Sequence, residues 1–209
     1  GEFLEELSEI LRSYLPKSCI GIRYDLAWQS HWDKPENYNE SNTWEGPPDR
    51  KYQEFRLNYN TNNWNLKRAN SDILPAHTVY LDLIPDEQTL LARMKPKTRY
   101  NIHLAARKGV TVRRAGMEEL PLWYKLYSDT AQRNGIFLND IEYFKSVLAA
   151  KADDTLSPAT VELLLAEKDG EALAAIFLVL SGNRGTYLYG ASSSQHRNCM
   201  PSYALQWEA

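Results

Sequence analysis

The chain opens on an amphipathic pattern. Phe3, Leu4, Leu7, Ile10, Leu11 and Tyr14 recur near 3.6-residue spacing and Pro16 follows, which predicts a helix over residues 2–14. Between Cys19 and Asp25 the residues Ile20, Ile22 and Tyr24 take alternate positions, the period of a strand. From Leu26 to Asn70 neither period survives. Trp28, Trp32, Trp44 and Trp64 stand there among Asn, Asp, Glu and Pro, as in a long functional loop whose aromatics either bind a sugar or peptide or anchor the loop to its own domain. Thr78 to Leu83 alternates again, and a helix through Leu90, Leu91 and Met94 follows Pro85. Pro96 then marks the first turn of a further helix and Gly109 its left-handed end.

The remaining pattern predicts a strand over Val110–Arg114, helices over Glu118–Arg133 and Asp140–Lys151, and strands over Val161–Glu167, Ala172–Leu180 and Thr186–Ala191. Lys168-Asp169-Gly170-Glu171 and Ser181-Gly182-Asn183-Arg184-Gly185 join those last strands as hairpin turns, so the three form an antiparallel meander. A helical pattern resumes at Tyr203 and runs into Ala209 without a stop signal, the expectation for a chain cut inside a helix.

Composition narrows the function classes. With 209 residues, 43% of them hydrophobic and 24% charged, the chain fits one large or two small globular domains. It contains no run of the ~20 apolar residues that a membrane helix needs. Gly1 to Glu6 is acidic, unlike the basic start of an export signal, so a cytoplasmic location is expected. Cys19 and Cys199 are too few for a disulfide framework or a four-cysteine zinc site and are expected to be buried free thiols. His31, His77, His103 and His196 lack ligand spacing, so no metal is expected. The net charge of −3 hides a segregation. Between Gln88 and Met117 there is no Asp or Glu, while Arg93, Lys95, Lys97, Arg99, Arg107, Lys108, Arg113 and Arg114 supply eight positive charges. Arg99, His103 and Arg107 share one stripe of the predicted helix, which reads as an anion site or as a solvated basic face.

The order β-α-α-β-β-β-α after Gly109 is similar to the GCN5-related N-acetyltransferase (GNAT) fold, an α+β class. In that fold a glycine-rich turn after the third meander strand admits the pyrophosphate of coenzyme A. Here the turn reads Arg197-Asn198-Cys199-Met200-Pro201-Ser202, with Met200 and Ser202 in the glycine positions, so coenzyme A is not an expected ligand. A narrower resemblance rests on four blocks in order. They are Met94-Lys95-Pro96-Lys97-Thr98-Arg99-Tyr100-Asn101-Ile102 with Ala105-Ala106-Arg107-Lys108-Gly109-Val110; Thr130-Ala131-Gln132-Arg133-Asn134-Gly135; Tyr187-Leu188-Tyr189-Gly190-Ala191-Ser192-Ser193; and Arg197-Asn198 leading to Tyr203-Ala204-Leu205-Gln206-Trp207. Together they resemble the Fem family (FemABX) of peptidoglycan bridge-forming aminoacyltransferases, the methicillin-resistance factors.

The resemblance implies an antiparallel-rich mixed sheet flanked by helices. It implies parts of two GNAT-like subdomains: residues 1–109, with the insertion 26–70 and the basic helix 96–108, and residues 110–209. It implies transfer of an amino acid from aminoacyl-tRNA to an amine of a lipid-linked or nucleotide-linked muropeptide, without a cofactor, with peripheral contact at the inner membrane surface. Tyr189, Ser193, Arg197 and Tyr203 are the implied muropeptide contacts. Lys97, Arg99, Arg107 and Lys108 are the candidates for tRNA phosphate. The segment Leu26–Asn70 is longer than in the family, and the family's later Tyr-Asp-Phe-Gly-Gly and Phe-Lys-Gly-Phe-Gly segments do not occur. No catalytic base stands out; Asp82, Glu162 and Glu167 are equal nominations. Two other readings compete: an acyl-CoA-dependent GNAT enzyme, and a noncatalytic nucleic-acid-binding module built on the basic helix.

Overall fold

The computed structural model describes residues 1–26, 28–40, 46–72, 75, 78–152 and 159–209. Trp44 and His77 lie outside the described residues. The chain divides into two compact units, Gly1–Leu81 and Asp82–Ala209. The basic helix 96–108 falls in the second of these units.

In the first unit, helix α1 (Glu2–Arg12) buries Leu4 and Glu5. The Glu5 carboxylate accepts the amides of Asn62 and Asn63, each at 2.7 Å, and the first of these contacts holds its carboxyl below the ordinary range. Helix α2 (Arg50–Asn58) interrupts the stretch that showed no period. It carries no apolar stripe; side-chain to backbone bonds hold it instead. Asn58 Nδ2 donates to Glu54 O (2.8 Å) and Leu66 O (2.9 Å), and its Oδ1 accepts from the Leu66 amide (3.1 Å). Trp28 packs on Phe3 and Trp64 on Phe55, with ring centroids 6.2 and 5.8 Å apart, so these two tryptophans anchor the long segment to its own unit.

Three expectations change. Cys19–Asp25 and Thr78–Leu83 do not join a sheet among the described residues. Alternation predicts a strand only where a second strand lies alongside to take its hydrogen bonds, and Val79, Leu81 and Leu83 are exposed. Cys19 is exposed rather than buried, whereas Cys199 is buried as expected.

The second unit begins with α3 (Glu87–Arg93), capped by Asp86, whose Oδ1 accepts the Thr89 amide at 2.9 Å. Helix α4 (Pro96–Arg107) ends at Gly109, where φ of +77° needs a residue without a Cβ. Then come β1 (Thr111–Ala115), α5 (Leu120–Asn134), α6 (Ile141–Ala149), β2 (Lys151–Ala152), β3 (Ala159–Lys168), β4 (Glu171–Ser181), β5 (Arg184–Ser192) and α7 (Pro201–Glu208). The sheet runs β1-β3-β4-β5, with β2 pairing the start of β3. Every described pair is antiparallel, in keeping with the expected antiparallel-rich sheet flanked by helices.

Both sheet faces are covered, which is why β3 and β4 read as nearly continuous apolar runs. Leu163, Leu165, Ala175 and Phe177 point to a core with Trp123, Tyr127 and Phe144 of α5 and α6. Leu164, Ala166, Ala174 and Ile176 point the other way, to Ala105 of α4 and Leu205 of α7. Arg113 on β1 bridges Glu167 (2.7 Å) on the next strand and Glu119, and Arg114 pairs with Glu162 at 3.1 Å. The basic stretch therefore loses two of its charges to the sheet's own carboxylates. Among the described residues no helix is long and apolar enough to cross a membrane.

Candidate substrate site

The end of β5 is tied to α5. Thr130, one turn before the end of α5 and buried, accepts the Ser192 amide on Oγ1 (3.0 Å) and shares its hydroxyl hydrogen between Leu126 O (2.8 Å) and Ser192 O (3.1 Å). One turn on, Arg133 donates to Ser192 O (3.1 Å) and Ser194 Oγ (3.0 Å), with longer contacts of 3.3 Å to Thr130 Oγ1 and Ser192 Oγ. All four partners are neutral oxygens. The guanidinium is oriented, and its charge is not cancelled by any carboxylate among the described residues.

Beside this tie a cleft of about 240 Å³ opens between the end of α5, strand β5 and α7. Thr130, Arg133, Asn134, Tyr187, Ser192, Ser202 and Gln206 supply its polar lining, with the Tyr187 hydroxyl lying over Gly190. Ala175, Ile176, Ala191 and Leu205, all buried, line its apolar side. Among the described residues no Asp or Glu takes part. Sequence reading passed over Arg133 as a site residue: it lies inside one of the quoted blocks, but its partners are about 60 positions away.

None of the four implied muropeptide contacts lines this cleft. Tyr189 packs against Phe144 and Tyr127, and its hydroxyl meets that of Tyr143 at 2.6 Å. Burial, reinforced by that hydrogen bond, pushes its pKa up to about 12, so it stays a neutral phenol at physiological pH. Ser193 is held by its amide to Leu173 O (2.8 Å), its Oγ accepts the Gln195 amide (3.0 Å), and it borders a second hollow with Asp129 and Glu171. Arg197 is exposed on a single 3-10 turn, Arg197–Cys199, and no described acidic residue pairs with it. Tyr203 is half-buried on α7.

The turn from His196 to Met200 explains how the chain manages without glycine. Met200 has φ 56° and ψ 41°, the left-handed region that a glycine would occupy without strain, and its side chain packs against the core that holds Ala105 and Leu205. The glycine backbone is thus kept and the side chain is turned inward. Left-handed backbone costs an L-residue about 1–2 kcal/mol. Met200→Gly is accordingly expected to be more stable than Met200→Ala by about 1 kcal/mol; equal stabilities in urea denaturation would contradict the backbone account.

The four candidates on the basic helix part ways. Arg99 donates to Leu91 O (3.4 Å), Ala92 O (3.3 Å) and Met94 O, closing the end of α3 as a C-terminal cation does. Arg107 lies over the Tyr100 ring at 5.6 Å, exposed, and Lys97 and Lys108 are exposed as well. Among the nominated bases, Glu162 and Glu167 are engaged by Arg114 and Arg113, and Asp82 Oδ1 accepts the Ile84 amide at 3.1 Å.

With this geometry established, comparison with known proteins gives a consistent result. The FemAB family model matches residues 56–167. The chain is 32% identical over 155 residues to the UDP-N-acetylmuramoylpentapeptide-lysine N(6)-alanyltransferase of Weissella viridescens, an alignment covering 72% of this chain and 44% of that protein. It is 24% identical over 193 residues to the lipid II:glycine glycyltransferase of Staphylococcus epidermidis, covering 65% and 46%. The solved structure of FemX superposes with a TM-score of 0.53 at 20% identity, over 59% of this chain and 46% of that one, which supports the α+β, GNAT-like fold. The chain spans about half the length of the curated relatives it matches.

Proposed function

The chain belongs to the FemAB family, and from that premise we propose that it is part of an aminoacyltransferase that adds an amino acid to the stem peptide of a peptidoglycan precursor, on the cytoplasmic side of the membrane. The observation that carries this reading is the family match across residues 56–167, which joins the basic helix to the first three strands of the sheet. The names of the relatives, an alanyltransferase on a nucleotide-linked pentapeptide and a glycyltransferase on lipid II, support a muropeptide acceptor.

Attack of an amine on an aminoacyl ester requires two large anionic reactants to be held in register. Arg197, exposed and without a carboxylate partner among the described residues, is suited to a diphosphate through charge-assisted hydrogen bonds. Tyr203 and the neutral phenol of Tyr189 are proposed to contact the rest of the acceptor. Arg197→Ala is expected to weaken binding of UDP-N-acetylmuramoyl-pentapeptide about tenfold, ~1.4 kcal/mol, with the melting temperature unchanged. An unchanged dissociation constant would remove Arg197 from the site.

Aminoacyl-tRNA is the proposed donor. Lys97, Arg107 and Lys108 form its proposed phosphate track, and Arg99 supports the helix from behind by closing α3. The double variant Arg107→Ala, Lys108→Ala should bind tRNA more weakly and lower the slope of log affinity against log salt by about one unit per lost contact, using the duplex value as a rough guide. A slope equal to that of the unsubstituted chain would place tRNA elsewhere.

A further inference from the structure

We infer that Tyr187 is a further contact for the muropeptide acceptor, its hydroxyl placed in the cleft beside Arg133 by a bulge at Leu188 and by the bare Gly190. This inference rests on the muropeptide reading above and deepens it.

Tyr187 and Tyr189 are two positions apart on β5, a spacing that puts both rings on one face of a regular strand. They part because the register slips. Tyr187 stands opposite Leu178 and Tyr189 opposite Phe177, which leaves Leu188 as an extra residue on β5. Directly opposite residues share a face, so Tyr189 joins the core of Phe177 and Phe144, while Tyr187 turns to the side of Leu178 and Ile176. Gly190, opposite Ile176, lies on that side too. Three positions separate it from Tyr187, and in a strand without the extra residue the two would point to opposite faces.

Gly190 completes the placement. It is not one of the glycines with positive φ, so its backbone is open to any residue; what calls for glycine is space, because a Cβ there would fall on the Tyr187 hydroxyl. That hydroxyl lines the cleft with Arg133, Asn134, Ser202 and Gln206, and it makes no hydrogen bond among the described residues. Burial pushes its pKa up, so at physiological pH it is a neutral phenol that can donate and accept. With 52% of its surface exposed, Tyr187 adds little to the core, and the bulge and the glycine fix the position of its hydroxyl more than they improve packing. The ligand it meets is the acceptor rather than the donor: the lining residues Ser192 and Ser202 bracket in sequence the turn that carries Arg197, whereas Lys97, Arg107 and Lys108 do not line the cleft.

The test measures binding of UDP-N-acetylmuramoyl-pentapeptide to the whole chain and to Tyr187→Phe, Gly190→Ala and the double variant, with melting temperatures alongside. Tyr187→Phe keeps the ring and removes one hydroxyl, so it should weaken binding about fivefold, the scale of one uncharged hydrogen bond, at an unchanged melting temperature. Gly190→Ala should weaken binding at least as much, because its Cβ drives the hydroxyl out of the cleft. The double variant should bind no worse than Gly190→Ala alone, since a glycine that acts through the tyrosine has nothing left to act on. A packing role for Tyr187 predicts unchanged precursor affinity in Tyr187→Phe. That result, additive losses in the double variant, or weakened tRNA binding with precursor affinity intact would each overturn the inference. If Gly190→Ala folds poorly, Tyr187→Phe decides alone. Precursor binding that is lost in Arg197→Ala and unaffected in Tyr187→Phe would sink this inference and leave the muropeptide reading standing. An unsubstituted chain that binds no precursor would sink both.

Discussion

Phe144→Ala is expected to destabilise the second unit by about 3–5 kcal/mol, the usual cost of emptying a buried aromatic site. Phe144 is fully buried, and its ring stands 4.8 Å from Tyr127, 5.3 Å from Tyr189, 5.5 Å from Trp123 and 5.8 Å from Phe177. It is the point where α6 is fixed to α5 and to strands β4 and β5. Removing it leaves a void lined by rings that cannot collapse far, because Trp123 and Phe177 are themselves fully buried. Local effects should appear as well: Tyr189 loses a neighbour and its hydroxyl contact with Tyr143 loosens. Urea denaturation followed by tryptophan fluorescence measures the change, and a loss under 1 kcal/mol would mean that α6 is held by something else.

The second large effect is expected from Thr130→Val, a substitution that keeps shape and removes one hydroxyl. That hydroxyl accepts the Ser192 amide and also bonds Leu126 O and Ser192 O. Valine fills the volume and accepts nothing, so the Ser192 amide loses its partner at the point where β5 meets α5. An orphaned amide costs ~1–3 kcal/mol, so a loss of about 2 kcal/mol is expected. Arg133 would also lose one of its guides, which loosens the cleft as well as the fold. Hydrogen exchange at Ser192 should accelerate in step with the loss of stability. A variant within 0.5 kcal/mol of the parent, with Ser192 still protected, would contradict this role.

Legibility in the sequence followed the range of the interactions. The meander was readable because its signals are local: two hairpin turns and apolar runs at the right lengths, which the structure extends by only a few residues. The basic helix was readable from Pro96 and Gly109 for the same reason. Thr78–Leu83 misled because alternation reports the period of a segment and says nothing about a partner strand. Helix α2 was hidden because its stability comes from Asn58 and Glu54 bonding Leu66 and Arg68, with no apolar stripe to detect. The charge of Arg113 looked free along the chain. In the sheet, Thr111 is directly opposite Glu167, so Arg113 reaches that carboxylate on the diagonal, 54 positions away in sequence. Arg133 escaped notice on the same grounds, and Met200 looked like an obstruction because backbone conformation and side-chain direction are not written in residue type alone.

Met200 also bears on the choice between ligands. Met200 holds its backbone in the left-handed region and packs its side chain inward, while Ser202 and Met200 stand where the acyl-CoA pattern has glycines. Shape alone therefore leaves coenzyme A and a muropeptide diphosphate as rivals for the same end of the sheet. The most direct discrimination is a calorimetric titration of this chain with UDP-N-acetylmuramoyl-pentapeptide and, separately, with acetyl-coenzyme A. The account predicts saturable binding of the muropeptide, weakened in Arg197→Ala, and no specific heat from acetyl-coenzyme A; micromolar acetyl-coenzyme A affinity with no muropeptide binding would contradict it.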